Sequence, residues 1–382
     1  MSAGWDKLVA DKVASIKAVE KNSILLAAAN PKLFSEIMPG LTRYVDVTFA
    51  EEGWTALEMA KTGNYIAAII DEDLPGLSGF DVARRLKREP DEKGYTLPVM
   101  LVARRAEDHD AVERIKAYCD GYMLAPFEAS PFLTRFWEVC DVYMERAWDD
   151  LNYIQSSVLK VAKKNLIKLF DSAAIHGAVD PKLSSECSVA LVKAARSQDL
   201  NGVLTMLKNH HSYSFCHALK VSALMALFGE QVGLKDGDLA LLAQGGLVHD
   251  VGKAVTAVHL LDKPTVLDED EWEIMRQHVE HSGRILRASG EVPREVIHIA
   301  ERHHEKIDGT GYPYGLKGAQ MDDPSLIAMM MDIYSALTDK RSYKKAFSKQ
   351  KSMEIMASMA GHHIEPGFFE RFREMVLDGV ID

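Results

Sequence analysis

The chain of 382 residues is short of cysteine, of excess positive charge and of long apolar runs. Its four cysteines, Cys119, Cys140, Cys187 and Cys216, stand far apart. That spacing excludes a close-paired disulfide framework and a zinc ribbon, and it fits a reducing compartment. Lysine and arginine number 45 against 56 acidic residues, for a formal net charge of −11. A nucleic-acid polymer needs a basic face, so no such partner is expected, although a small phosphorylated ligand needs only a local basic cluster. No apolar run reaches the roughly 18–20 residues of a membrane span. The start, Met1-Ser2-Ala3-Gly4-Trp5-Asp6, lacks a secretory pattern, so a cytoplasmic protein without a membrane partner is expected. Internal repeats and low-complexity segments are also missing.

Histidine, in contrast, is concentrated. Ten of the 14 histidines fall between His210 and His304, a density that a helical core has no reason to produce. Within it lie the adjacent pair His249-Asp250, the pair His303-His304, and the run Asp308-Gly309-Thr310-Gly311-Tyr312-Pro313. An adjacent His-Asp pair can supply two metal ligands from one helix, and the carboxylate can bridge two cations. Two cations roughly 3.5–4 Å apart lower the pKa of a shared water and clamp the oxygens of a phosphodiester, which is hydrolytic chemistry. Gly309 and Gly311 permit backbone conformations closed to other residues and Pro313 stiffens the turn, so the loop can approach a ligand closely.

These residues carry a resemblance. The segment from Tyr213 to Phe372 resembles an HD-GYP domain, the family of cyclic di-GMP phosphodiesterases. The match runs in order through Tyr213-Ser214-Phe215-Cys216-His217, Gly246 to Lys253, Leu261-Asp262-Lys263-Pro264, Trp272 with His278, His303-His304-Glu305, Asp308 to Pro313, Asp332 to Leu337 and Arg341-Ser342-Tyr343-Lys344. The resemblance implies His217, His249, Asp250, His278, His303, His304 and Asp332 as ligands of two divalent ions, with Fe, Mn, Zn and Ni not distinguished by the donor types. Some members hold a third ion through a glutamate four residues before the first histidine, where this chain has Tyr213.

The resemblance further implies Arg341 and Lys344 as a phosphate-binding pair. Asp308 and Tyr312 are expected at the substrate, and Lys253 with Asp250 in the catalytic chemistry. Lys253 is expected one helical turn beyond His249, where it can offset charge on phosphoryl oxygens. His281, His259 and His298 fall outside the motifs and read as bystanders. The sequence departs from the family at Ser335, where a second acid is usual, at Ser342, where proline is usual, and at Leu326, where a basic residue is usual.

Earlier in the chain, the short apolar runs Ser23 to Ala29, Val45 to Phe49, Ile66 to Ile70, Pro98 to Val102 and Gly121 to Leu124 alternate with helix-like stretches. This is the rhythm of a doubly wound parallel sheet, an α/β domain. It resembles a CheY-like response-regulator receiver, with Asp71 at the phosphoacceptor position. The supporting residues of that family are replaced: Ala28-Ala29 stand at the acidic pair, Ala103 at the hydroxyl and Ala125 at the lysine of Ala125-Pro126-Phe127. Without the acidic pair Asp71 has no divalent cation beside it, so a degenerate receiver that is not phosphorylated is expected.

The sequence therefore divides into an N-terminal helix over 1–21, a receiver over 22–129, a linker helix over 130–170 and an all-α HD-type domain over 171–382. The linker carries Phe132, Phe136, Val139, Val142, Leu151, Ile154, Val158 and Val161 at mostly three- and four-residue steps. That stripe suits a two-stranded interface and a homodimer, or else a helix packed inside the bundle. The expected function is hydrolysis of cyclic di-GMP, or a related cyclic dinucleotide, to pGpG or onward to GMP, within signalling that involves a protein partner. Two alternatives are a slow cyclic di-GMP sensor acting through partners and an HD-type diiron oxygenase, the latter disfavoured by the phosphate pair and the loop at Tyr312.

Overall fold

The computed structural model describes residues 23–381, apart from 43–44, 64, 89–95, 105–114, 208–212, 262, 264–265 and 340–345. The expected N-terminal helix over 1–21 and the Arg341 and Lys344 pair lie outside the described residues. The chain forms two compact units, Met1–Ala147 and Trp148–Asp382.

In the first unit five strands, β1 (Ser23–Ala27), β2 (Asp46–Ala50), β3 (Tyr65–Asp71), β4 (Val99–Ala103) and β5 (Gly121–Leu124), form one parallel sheet in the order β2-β1-β3-β4-β5. Successive side chains alternate between two apolar faces, as a parallel sheet covered on both sides requires. Leu25, Ala27, Ala68, Ile70 and Leu101 pack with the helices Gly53–Thr62 and Gly79–Arg88. Ile24, Leu26, Ile69, Met100 and Val102 pack instead with Phe34, Ile37 and Leu41, and with Phe132, Phe136, Val139 and Cys140 of the helix Ala129–Arg146. Asp71 ends β3 at the carboxyl edge of the sheet, where doubly wound folds place their sites.

The linker differs from the single helix expected over 130–170. Helix Ala129–Arg146 gives way to the 3-10 turn Ala147–Asp150, and a new helix starts at Tyr153 and runs to His176. Asn152 stops the first helix from continuing: it is extended, and its side chain accepts from the Gln155 backbone N–H as an N-cap. The apolar stripe persists through the break because its halves serve different cores. Phe132, Phe136 and Val139 close the receiver sheet, whereas Val158, Leu159, Ala162 and Leu166 are buried in the second unit. The residues that suggested a two-stranded interface are thus largely covered within the chain itself, and the first unit runs 18 residues past the boundary expected at 129.

The second unit has no strand among its described residues. Five of its helices matter for the site: Tyr213–Gln231, Asp236–Val248, Glu269–Ala288, Arg294–Arg302 and Asp323–Thr338. Asp268 and Glu271 form a reciprocal capping box at the start of Glu269–Ala288, and Asp322 caps Asp323–Thr338, whose first turn holds Pro324. Gly245 and Gly246 let neighbours come close, since a Cβ on Gly245 would lie 2.2 Å from Ile299 Cδ1 and one on Gly246 would lie 2.6 Å from Ser222 Cα. Helix Asp236–Val248 is thereby drawn against the helices of His217 and His303.

Candidate metal centre

All seven expected ligands converge. His217 comes from the second turn of Tyr213–Gln231, His278 from Glu269–Ala288 and Asp332 from Asp323–Thr338, while His249 and His303 each cap a helix C-terminus. The His249-Asp250 pair leaves its helix at that cap and enters the 3-10 turn Val251–Val255, so the two side chains are not successive positions of one α-helix. Gly252 makes the tight approach possible, because a Cβ there would lie 2.0 Å from His278 O and 2.5 Å from Ser282 N. Its own N–H donates to Ser282 Oγ at 2.8 Å.

Asp250 is the hinge of the arrangement. Its Oδ2 lies 3.4 Å from His249 Nε2 and 3.6 Å from His217 Nε2. The other oxygen, Oδ1, lies 3.2 Å from His278 Nε2 and 3.6 Å from His303 Nε2. One carboxylate therefore presents its two oxygens to two different pairs of imidazoles. Asp332 adds Oδ1 at 3.0 Å from His217 Nε2 and Oδ2 at 3.8 Å from His304 Nδ1. The groups His217, His249 and Asp332, then His249, Asp250 and His303, then His278, His303 and His304 each bring their ligand atoms within 4.8 Å of one another.

The polar atoms at the centre of the cluster fit cations and little else. His249 Nε2, His278 Nε2, His303 Nε2 and Asp250 Oδ1 are buried without a hydrogen-bond partner, an expensive condition unless a ligand completes it. Meanwhile the Nδ1 atoms of His249, His278 and His303 lie 2.7, 2.6 and 3.0 Å from the carbonyls of Gly246, Met275 and Ala300, each three residues earlier. Each Nδ1–H donates outward, which leaves the Nε2 lone pair facing inward for a metal.

Electrostatics agrees. Burial pushes the Asp250 carboxyl up, yet Lys253 and His249 hold it well below the usual carboxylate range. Asp332 is likewise driven up by burial and held well below by His217. Burial lowers His303 to about 4, and burial together with His303 lowers His304. Ionised Asp250 and Asp332 thus face neutral His303 and His304, the protonation states that divalent ions need, whereas at His217 burial is outweighed by Asp332 and Asp339, which hold it up.

Lys253 occupies a different place from the one its spacing suggests. In the 3-10 turn its Nζ sits 2.5 Å from Asp250 Oδ2, where it orients and neutralises that carboxylate. Asp308 is not part of the cluster: its Oδ1 accepts from Thr310 N at 2.9 Å and Thr310 Oγ1 at 2.7 Å, closing the turn. Tyr312 does reach the cluster, with its ring stacked on His304 at 4.9 Å between centroids and 27° between planes. Gly309 has φ +82°, whereas Gly311 is required by proximity, since a Cβ there would lie 2.4 Å from Glu305 Cα.

Two residues beside this loop have roles that motif spacing does not show. Glu305, 1 % exposed, accepts from Tyr314 N at 2.6 Å and Leu316 N at 2.8 Å and so clips the loop down. Arg276 places its guanidinium carbon 5.6 Å from the Tyr312 ring centre. Its position two residues before His278, on the same helix, was the available signal. The side chain of Tyr213 lies outside the described residues.

Residues 201–367 match the HD domain family and residues 28–136 match the response regulator receiver domain family. The HD match contains His217, the His249-Asp250 pair and Gly311-Tyr312-Pro313. The chain is an HD-GYP protein with an N-terminal receiver domain. A Pseudomonas aeruginosa protein named cyclic di-GMP phosphodiesterase PA4108 is 31 % identical over 217 residues, which cover 56 % of this chain and 52 % of that protein. A cyclic di-GMP phosphodiesterase of Thermotoga maritima is 26 % identical over 333 residues, 86 % of this chain and 83 % of that one. A 3'3'-cGAMP-specific phosphodiesterase of Vibrio cholerae is 32 % identical over 162 residues, 42 % of this chain and 35 % of that one. The chain thus spans about half the length of the first of these relatives. Among the described residues of this HD-GYP protein no helix is long and apolar enough to cross a membrane.

In the receiver, Ala28, Asp71 and Ala103 stand at the carboxyl ends of their strands. Ala28 follows β1, Ala103 ends β4, and Asp71 is 1 % exposed at the end of β3. Arg104, next to Ala103, lies 2.6 Å from Asp71 Oδ2 and 3.1 Å from Asp73 Oδ2, and its backbone N–H donates to Glu72 Oε2 at 2.9 Å.

Proposed function

We propose that this HD-GYP protein is a phosphodiesterase that opens cyclic di-GMP to linear pGpG, and then releases GMP, using two divalent ions. The observation that carries the reading is the division of Asp250, whose oxygens face separate histidine pairs while four inward polar atoms have no other partner. One ion would be held by His217, His249, Asp332 and Asp250 Oδ2, and the other by His278, His303, His304 and Asp250 Oδ1. Bound there, the ions supply Lewis acidity and a water ionised near neutral pH.

The protein groups do the rest. Lys253 holds Asp250 in its bridging orientation and presents positive charge beside the phosphoryl oxygens. Tyr312, fixed on His304 and flanked by Arg276, offers a ring face against which a guanine base can stack. Arg341 and Lys344 bind the second phosphate, the guanidinium fork suiting bidentate contact. A signalling partner acting on the receiver domain sets the activity, and the absence of any spanning helix among the described residues is consistent with a cytoplasmic setting.

The test is purified chain, loaded with Mn²⁺ or Fe²⁺, incubated with cyclic di-GMP and in parallel with 3'3'-cGAMP, followed by chromatography. Linear pGpG that disappears on chelation and returns with the metal is expected. Tight binding without product would replace the reading with a sensor, and turnover confined to 3'3'-cGAMP would change the substrate.

A further inference from the structure

One histidine of the centre is anchored unlike the others. His249, His278 and His303 each turn Nδ1 to a main-chain carbonyl of their own helix. His217 turns Nδ1 to another helix, 3.2 Å from Ser335 Oγ and 3.5 Å from Asp339 Oδ2. The Ser335 hydroxyl in turn donates to Asp339 Oδ2 at 2.9 Å. Lys220 closes the group: its ammonium pairs with Asp339 Oδ1 and donates to Thr338 Oγ1 at 2.8 Å. A proton on His217 Nδ1 thereby enters a directed chain, Nδ1–H to Oγ–H to carboxylate, while Nε2 faces Asp250 and Asp332.

The sequence explains why this chain is built so. The acid that HD-GYP proteins often carry three residues after the last ligand is Ser335 here. Asp339 lies four residues further on, one helical turn away, where the helix Asp323–Thr338 ends and its own N–H caps Ser335 O at 2.8 Å. A carboxylate behind a ligating histidine fixes the tautomer and ring orientation and raises the basicity of the coordinating nitrogen.

We propose that Asp339, acting through Ser335 and balanced by Lys220, is the positioning residue of His217 and replaces the acid missing at position 335. It rests on the reading of the seven-residue cluster as a two-ion centre. Asp339 touches neither substrate nor ion, and its effect falls on the ion held by His217, with the ion of His278, His303 and His304 left unchanged.

The test uses the full chain, stripped and titrated with Mn²⁺ by calorimetry, with the melting temperature of the metal-free form recorded alongside. Wild type takes up two ions. Asp339→Asn weakens one of them by about 10–100-fold and leaves the other at wild-type affinity. Relocating the acid, in the double variant Ser335→Asp with Asp339→Ser, restores the weakened ion, which a merely structural role for Asp339 would not do. Wild-type affinity for both ions in Asp339→Asn overturns the proposal, as does a loss that the double variant fails to recover. A wild-type chain that takes up no Mn²⁺ overturns the metal-centre reading itself.

Discussion

Arg104 lies 2.6 Å from Asp71 Oδ2, so the buried carboxylate at the end of β3 already has a cation, supplied by the chain itself. A phosphorylated receiver needs Mg²⁺ there, and Ala28-Ala29 offer it no ligand. Incubation with acetyl phosphate and Mg²⁺ is expected to leave the intact mass unchanged; a gain of one phosphate on Asp71 would refute this. Arg104→Ala strips the buried carboxylate of its partner. The expected loss of stability is about 2 kcal/mol, below the 3–5 typical of a fully buried pair because the guanidinium is 34 % exposed. Denaturant unfolding of the variant measures it.

Asp250→Asn removes charge from the carboxylate whose two oxygens face separate histidine pairs. Metal content is expected to fall from two ions per chain to near zero by elemental analysis. Phosphodiesterase activity should fall by roughly 10³-fold or more, since the ions supply several kcal/mol of charge stabilisation. Retention of both ions would show that the carboxylate does not bridge them.

The metal-free chain should lose stability on mild acidification. His303 sits at about 4 in the folded chain against an ordinary 6.5, because burial disfavours its charged form. Above pH 6.5 the group is neutral in both states and its contribution is complete. Between 6.5 and about 4 the unfolded chain gains a proton that the folded chain refuses, and about 3 kcal/mol is lost. His304 acts in the same direction. His217 opposes them, since Asp332 and Asp339 hold it up despite burial. The readout is therefore a difference: urea unfolding of His303→Asn should show a flatter pH slope than wild type over that window.

Glu305→Ala leaves the backbone N–H groups of Tyr314 and Leu316 without their acceptor and releases the loop that carries Tyr312. KM for the cyclic dinucleotide should rise by about tenfold, the equivalent of one charged hydrogen bond of about 1.4 kcal/mol. Metal content should stay at the wild-type value. A variant with normal KM would mean that the loop needs no clip.

Much of this protein was legible in its residues. The strands fell within a residue or two of their apolar runs because a sheet covered on both faces must be apolar along its length. The seven residues that converge were legible as a motif, since each element contributes a fixed residue type in a fixed order. The linker misled for a physical reason: Phe132 to Val161 keeps a helical period across 147–152 although each half answers to its own core. What stayed hidden was pairing over distance. Arg104 meets Asp71 across 33 positions and His217 meets Ser335 across 118, and no local spacing encodes either. Lys253 was hidden differently, because an α-helical turn and a 3-10 turn point the same side chain to different neighbours.

The width of the metal centre is gauged by a side chain that does not exist. Gly252 sets the chain that follows the His249-Asp250 pair directly against the helix of His278, and any larger residue would meet His278 O at 2.0 Å and force the two apart. The tolerance on the separation between the Asp250 turn and the helix of His278 is therefore that of backbone resting on backbone. Gly252→Ala, which alters none of the seven side chains of the cluster, would widen that separation.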